Sequence, residues 1–216
     1  STQNDYLHTD KDRNYYYMPY TALLSALRSL SQEGFTRDQR DALRALCEYL
    51  EEPSPYALFL LTGYAGTGKT FLLRTITELA LQSGLRVELM ASTGRAAKVL
   101  FASTGRPAST VHRTIYRAST QMQEEGGSFQ LGRVSATTPT LFIVDEASMI
   151  SGDTGEVTPF GSGNLLDDLL SYVWSAEEAK LIFVGDTAQL PPVGTPLSDA
   201  LNAEVLTSRY GLHVYG

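Results

Sequence analysis

The stretch from Gly63 to Thr70 reads GYAGTGKT and fits the phosphate-loop pattern G-x-x-x-x-G-K-[ST]. Glycines let a backbone bend tightly and bring its N–H groups close to a phosphate chain. The lysine of this pattern reaches the β- and γ-phosphates, and the hydroxyl after it binds Mg²⁺. The sequence therefore predicts a nucleotide-binding loop with these contacts: Gly63, Ala65, Gly66, Thr67, Gly68, Lys69, Thr70 and Phe71.

The segments on either side of this loop support the prediction. Residues 57–61 form a short apolar run, as a buried parallel strand requires, and residues 71–82 have helical spacing. A strand before and a helix after the loop place the phosphate at a helix N-terminus. A glycine-rich turn without a ligand is the alternative, and this context disfavours it.

Two acidic residues follow a second apolar run, residues 140–144. Carboxyl ends of parallel strands meet at one sheet edge, where ligands bind. Asp145 is therefore predicted to hold Mg²⁺ through water beside Thr70, and Glu146 to orient and deprotonate the attacking water. Taken alone, the pair is equally consistent with an ordinary acidic strand end.

Two glutamines are further candidates. Gln189 follows the apolar run 181–184 and Gly-Asp, and we expect it to reach a γ-phosphate or the attacking water. Gln39 lies three residues after Thr36, so the two fit a capping box. The alternative role for Gln39 is to hydrogen-bond an adenine edge.

Charge is distributed unevenly along the 216 residues, whose net charge is −7. Residues 89–123 contain no acidic residue and carry +5, so the remainder carries −12. A local cationic track suits a polyanion bound in one groove, and a solvated face is the alternative.

The single Cys47 excludes an internal disulfide, and we expect a small, buried apolar side chain there. We find neither a membrane-spanning run nor a signal peptide, so we expect a cytoplasmic protein.

Apolar runs and helical spacing alternate along the chain, which predicts an α/β fold with a mainly parallel sheet. Residues 1–34 form an N-terminal extension with one helix, and the domain follows at 35–216. A short helix is expected from residue 109 to 116, and a small β-hairpin insert at 117–138 with its tip near 124–128. Pro191-Pro192 is expected to stop the chain from re-entering regular structure.

Six motifs occur in order: FTRDQ, GYAGTGKT, STGRAAKVL, STVHRTIY, DEASMI and GDTAQLPPV. From about Phe35 to Val193 the chain resembles the first RecA-like motor domain of superfamily 1 DNA helicases of the RecD/Dda type, similar to the exodeoxyribonuclease V alpha subunit. The resemblance implies a three-layer P-loop NTPase fold that uses ATP and Mg²⁺. It also implies movement along single-stranded DNA, 5′ to 3′, with duplex unwinding, in DNA repair or recombination.

The resemblance also assigns residues. Gln39 would hydrogen-bond adenine. The catalytic residues would be Lys69, Glu146 and Gln189, and the metal would be bound by Thr70 and Asp145. Segments that match the single-strand contacts of the family supply the nucleic-acid set: Thr93, Gly94, Arg95, Thr110, His112 and Arg113. The insert at 117–138 would be a small strand-separating pin, with a plain surface loop as the alternative.

Such helicases need a second RecA-like domain, which supplies arginine fingers and is not found in this sequence. We therefore expect a piece of a longer helicase that binds ATP–Mg²⁺, hydrolyses it very slowly alone, and acts with repair or recombination proteins. A recombinase or clamp-loader type ATPase is one alternative, which Gln39 and GDTAQLPP disfavour. A nucleotide-gated DNA-binding module without catalysis is the other.

Overall fold

The computed structural model describes residues 18–118, 129–150, 160–186 and 198–216. Its helices are α1 (Met18–Ser29), α2 (Arg37–Glu51), α3 (Lys69–Gln82), α4 (Gly94–Thr104), α5 (Val111–Ile115), α6 (Leu165–Val173) and α7 (Ala203–Tyr210). Its strands are β1 (Ala57–Thr62), β2 (Arg86–Ala91), β3 (Ala108–Thr110), β4 (Tyr116–Ala118), β5 (Phe129–Leu131), β6 (Thr140–Asp145), β7 (Ala179–Gly185) and β8 (His213–Tyr215). Short 3₁₀ helices cover Ala147–Met149 and Asp199–Leu201.

A six-stranded sheet forms the centre of the described structure, in the order β3-β2-β6-β7-β1-β8. Every neighbouring pair in it is parallel. The chain moves outward from β1 to β2 and returns to place β6 and β7 between them, so four apolar strands lie next to one another. The carboxyl ends of β1, β2, β6 and β7 consequently share one edge, as ligand sites in such sheets require.

Successive strand residues point to opposite faces of this sheet, and each face is covered by helices. On β1, Phe59 and Leu61 pack in one buried cluster with α1, α2 and α3, whereas Leu58 and Leu60 pack in the other with α5, α6 and α7. Both clusters contain aromatic and branched side chains that are almost fully buried. The predicted three-layer α/β P-loop fold is confirmed.

The predicted short helix at 109–116 was only partly right. Residues Ala108–Thr110 form the edge strand β3, paired in parallel with β2 from Leu89 to Ala91, and the helix is limited to Val111–Ile115. The polar segment Ala-Ser-Thr has little strand character of its own, so its conformation comes from hydrogen bonding to β2.

The expectation that regular structure ends after Pro191-Pro192 was wrong. Helix α7 follows, capped by the Asn202 side chain, and β8 then adds to the sheet beside β1. A proline interrupts a helix or strand only at its own position. Further along the chain, the buried apolar residues Leu206 and Leu212 hold this last segment against the sheet.

The predicted insert contains an antiparallel pair of strands. Tyr116 pairs with Leu131 and Ala118 with Phe129, so β4 and β5 form the base of a hairpin. Its predicted tip lies outside the described residues. The aromatic rings of Phe129 and Phe160 stack at 4.7 Å, which joins this base to the turn before α6.

Candidate nucleotide and nucleic-acid site

The predicted phosphate loop leaves β1 at Thr62 and enters α3 at Lys69. Gly66 and Gly68 have φ angles of +80° and +84°, a left-handed conformation that glycine adopts without strain. A Cβ at residue 68 would overlap the Gln39 amide, and a Cβ at residue 63 would lie 3.0 Å from the Thr67 hydroxyl. The loop can therefore pack this closely against Gln39 and Thr67 only because these positions have no side chain.

The Lys69 amine is folded back onto its own loop. Its Nζ donates to the carbonyl oxygens of Gly63 and Tyr64 at 2.5 and 2.8 Å. The Thr67 hydroxyl donates to the same Tyr64 carbonyl at 2.8 Å. Because the Lys69 amine is hydrogen-bonded to its own loop, its positive charge lies next to the glycine backbone. To bind a nucleotide, the amine would have to exchange these carbonyl oxygens for phosphate oxygens.

Gln39 fills the capping role that the sequence predicted and also contacts the phosphate loop. Its Oε1 accepts from the Thr36 backbone N–H at 3.0 Å, and its backbone N–H donates to the Thr36 hydroxyl, which completes the predicted capping box. Its Nε2 also donates to the Thr67 carbonyl at 3.4 Å. Gln39 is therefore fixed between α2 and the loop. Its predicted contact with adenine stays a prediction.

Exposed aromatic side chains lie in the loop and in the first turn of α3. The Phe71 ring is 52% exposed and contacts the Phe35 ring at a centroid distance of 5.4 Å. Tyr64, in the loop itself, is 67% exposed. Large exposed rings next to a glycine loop provide an apolar surface for a flat ligand such as a nucleobase.

Asp145 and Glu146 lie at the carboxyl end of β6, as predicted. Burial raises the pKa of Asp145, and the hydrogen bond from the Glu146 N–H (2.9 Å) and the charge of Lys69 oppose this. Burial and the neighbouring Asp145 raise the pKa of Glu146, and Arg95 opposes them. Lys69 and Asp145 both follow strands at the same edge of the sheet, and the charge of Lys69 reaches Asp145.

The backbone at Glu146 is unusual. Its φ and ψ are 52° and 40°, and among the described residues it is the one non-glycine residue with a positive φ. Such a conformation costs about 1–3 kcal/mol and is found where function requires it. It turns the chain sharply from β6 into the 3₁₀ helix Ala147–Met149.

The two predicted nucleic-acid segments follow neighbouring strands. Thr93 ends the turn after β2 and caps α4, accepting from the Ala96 N–H at 3.1 Å. Thr110 ends β3 and caps α5, accepting from the Arg113 N–H at 3.2 Å. Because Ala91 pairs with Thr110 across these strands, both segments lie at the edge that carries Asp145.

The side chains of these segments differ in exposure. Gly94, Arg95 and Arg113 are exposed, and a Cβ on Gly94 would meet no atom within 4 Å. His112 is half-buried against the Tyr116 and Phe160 rings, and burial lowers its pKa. Burial therefore disfavours a charge on this ring, and the exposed arginines carry positive charge at these segments. Gln189 lies outside the described residues.

The residues present fit ATP and Mg²⁺. The loop has glycine positions that a Cβ would fill and an amine already beside them. The oxygen set of the Thr70 hydroxyl and the Asp145 carboxylate is the kind that Mg²⁺ prefers. In addition, the Ser92 hydroxyl, directly after β2, is buried with no hydrogen-bond partner among the described residues.

Comparison with known proteins agrees with this arrangement. Residues 34–208 match the family described as the AAA domain. The chain belongs to this family. It is 38% identical over 174 residues to the ATP-dependent RecD2 DNA helicase of Deinococcus radiodurans, which is 80% of this chain and 21% of that protein. The resemblance to the motor domain of RecD-type superfamily 1 helicases is confirmed.

Other relatives of this AAA-domain chain match a similarly small part of longer proteins. The ATP-dependent DNA helicase PIF6 of Trypanosoma brucei brucei is 29% identical over 174 residues, 75% of this chain and 19% of that helicase. An uncharacterised protein of Methanocaldococcus jannaschii is 35% identical over 156 residues, 66% of this chain and 12% of that protein. The chain thus spans about a fifth or less of these relatives.

Sequence reasoning missed three features of the site. Arg95 was assigned to nucleic acid alone, although its charge acts on Glu146. The Ser92 hydroxyl and the exposed Tyr64 ring carried no signal in the sequence, since neither residue type is rare in a turn.

No helix among the described residues is both long enough and apolar enough to cross a membrane.

Proposed function

We propose that this chain is the first motor domain of an ATP-dependent DNA helicase. In the native protein it would couple ATP hydrolysis to movement along single-stranded DNA, 5′ to 3′, and to duplex opening. One observation supports this most: a glycine loop with its lysine, an acidic pair and two arginine-bearing turns all follow parallel strands at one edge of the sheet.

In this proposal the chain holds ATP through its loop. The backbone N–H groups of 63–68 and the Lys69 amine bind the phosphates, Thr70 and Asp145 hold Mg²⁺, and Gln39 with Phe71 contacts the base. ATP supplies the phosphoryl group whose transfer to water provides the energy. Glu146 orients the attacking water and accepts its proton, and the pKa raised by burial makes it a stronger base than an exposed glutamate.

Single-stranded DNA would lie along the turns that begin α4 and α5. Exposed Arg95 and Arg113 would pair with phosphates, and the open surface at Gly94 lets a backbone approach closely. Thr93 and Thr110 accept the cap hydrogen bonds through their hydroxyl oxygens, so their O–H groups could still donate to DNA phosphates. The acidic remainder of the chain confines the polyanion to this track.

We further propose that hydrolysis needs a second RecA-like domain of the same polypeptide. Arginine fingers are worth ~10³–10⁵ in rate, so this chain alone would bind ATP–Mg²⁺ and turn it over very slowly. Gln189 would couple nucleotide state to DNA, and the insert at 117–138 would act as a small pin. Binding to repair or recombination proteins stays a prediction, as does a location in the cytoplasm.

The test is strand separation by the native protein that carries this chain. A forked DNA duplex with a 5′ single-stranded tail should be unwound when ATP and Mg²⁺ are present, and the Lys69→Ala variant should not unwind it. A duplex with a 3′ tail is the matched control for direction. Unwinding that survives Lys69→Ala would contradict the assigned ATP site, and unwinding from the 3′ tail alone would contradict the direction.

A further inference from the structure

The base of the β4–β5 hairpin is attached to helix α6 through one buried carboxylate. Asp168 lies in the first turn of α6 and is 5% exposed. Its Oδ2 atom accepts from the Tyr116 hydroxyl of β4 at 2.7 Å and from the Ser162 N–H at 2.9 Å. A buried carboxylate is unfavourable unless donors satisfy it, so these two hydrogen bonds hold β4 and the turn before α6 to the helix.

The turn before α6 packs closely around this carboxylate. The Gly161 N–H donates to the Phe129 carbonyl of β5 at 3.0 Å. A Cβ at residue 161 would overlap the Asp168 carboxylate and the Tyr116 ring, so glycine is required there. The Phe160 ring stacks on Phe129 and lies 5.3 Å from the Tyr116 ring, measured between centroids. Both strands of the hairpin base are therefore attached to the same turn.

The hairpin base is also continuous with the predicted DNA segment on α5. Helix α5 ends at Ile115, and β4 begins at the next residue, Tyr116. The Arg117 guanidinium turns back and donates to the carbonyls of Arg113 and Thr114 at 3.2 and 2.8 Å. Arg113, which is exposed, and the first strand of the hairpin therefore belong to one hydrogen-bonded unit.

We propose that Asp168 is a positioning residue for duplex opening, because its carboxylate fixes the hairpin base beside the turns that would bind DNA. A hairpin that parts base pairs must resist the duplex that pushes against it. Through Asp168 the hairpin base is attached to α6, whose Leu166 and Leu169 belong to the same buried cluster as the central strands. Asp168 is buried, so it contacts neither nucleotide nor DNA. This inference rests on the proposed function, in which the insert opens the duplex.

The experiment compares two activities of the native protein that carries this chain. One is unwinding of a forked duplex with a 5′ tail, and the other is ATP turnover with oligothymidylate, which contains no duplex to open. Asp168→Ala removes the acceptor of both hydrogen bonds and should lower unwinding per ATP hydrolysed about ten-fold, the effect of losing a buried bond to a charged group. Turnover with oligothymidylate should not change.

Three further variants make this comparison specific. Tyr116→Phe removes one donor but keeps the ring, so unwinding per ATP should fall while the fold is retained. Asp168→Asn keeps an accepting oxygen and should restore most of the unwinding. Tyr210→Phe is the matched control, because the Tyr210 hydroxyl donates to Asp167 at 2.5 Å and joins α7, not the hairpin, to α6. It should leave unwinding per ATP unchanged.

Amide hydrogen exchange tests the attachment itself, without turnover. In Tyr116→Phe the amides of β4 and β5 should exchange about ten-fold faster, because the hairpin base opens more often, while those of β6 do not change. If Asp168→Ala matched the unsubstituted protein in either measurement, the inference would be wrong. Unwinding and turnover with oligothymidylate that fell together would also contradict it, since the loss would then be one of general stability. An unsubstituted protein that hydrolyses ATP but opens no duplex would overturn the proposed function, and with it this role of Asp168.

Discussion

The two edges of the central sheet use polar side chains in opposite ways. At the amino-terminal edge, the buried Lys180 amine donates to the carbonyls of Tyr49 and Glu52 at 3.3 and 2.8 Å and lies 4.8 Å from the Tyr49 ring centroid. The Tyr49 hydroxyl donates to the Leu181 carbonyl and accepts from the Leu181 N–H. These groups have fixed partners inside the fold, so they join α2 to β7.

The carboxyl-terminal edge is different. Lys69 is bonded to carbonyls of its own loop, Glu146 has a left-handed backbone, and the Ser92 hydroxyl is buried with no partner in the part of the chain that the structure describes. The left-handed backbone of Glu146 and the unpartnered Ser92 hydroxyl each cost stability, and at the opposite edge the Glu178 Oε2 is likewise buried with no partner among the described residues. The amino-terminal edge differs in that it bonds Lys180 and Tyr49 into the fold, whereas we propose that the groups at the carboxyl-terminal edge are held for ligands.

Substitutions at the ligand edge should have the largest effect, and it should be on turnover. In the native protein, Glu146→Gln should lower ATP turnover roughly 10²–10⁴-fold because the water loses its general base, while ATP affinity is retained. Lys69→Ala should weaken both affinity and turnover. Steady-state hydrolysis and equilibrium ATP binding separate the two effects. Normal turnover by Glu146→Gln would show that another group is the base.

At the opposite edge, the main effect should be on stability. Tyr49→Phe leaves the Leu181 N–H and carbonyl buried without the hydroxyl, which should cost about 1–3 kcal/mol. Urea unfolding of this chain measures the loss. Tyr56→Phe, which removes a hydroxyl from a ring that is 57% exposed, is the control and should change stability by less than about 0.5 kcal/mol. Equal effects would mean that the buried contact is unimportant.

Lys180 should make stability depend on pH. Burial lowers its pKa from the ordinary 10.5 to about 8. Between these values the unfolded chain binds more protons than the folded chain, so the free energy of unfolding rises with pH, by about 2 kcal/mol from pH 8 to 10. Burial holds the pKa of Tyr49 above this window. In the Lys180→Met variant this rise should be lost, and a rise that remains would assign it to other groups.

The smallest expected effect is a gain. Glu146→Gly removes the cost of a left-handed glutamate and should stabilise the chain by about 1 kcal/mol, while hydrolysis is lost. Glu146→Ala removes the same carboxylate but keeps the Cβ, so it should give no such gain. The difference between the two in urea unfolding isolates the backbone term. A Glu146→Gly variant no more stable than Glu146→Ala would show that the turn is unstrained.

The ligand edge was largely predictable from the sequence, because phosphate loops and acidic strand ends depend on local patterns. The amino-terminal edge was not: Lys180 is a single polar residue in an apolar strand, and its burial depends on α2 packing across the strand. Strand β3 was missed because the three small residues Ala-Ser-Thr form a strand only when β2 offers its free edge. The nearness of Arg95 to Glu146 likewise depends on the β2–β6 register, which the sequence does not specify.

The most direct test of the central claim is ATP binding by this chain, alone and with a short single-stranded DNA, with hydrolysis followed in the same samples. The account predicts binding of ATP–Mg²⁺ with almost no turnover, because the arginines of a second domain are needed. Turnover that rises strongly with DNA would contradict it, since the chain would then supply every catalytic group itself or by self-association.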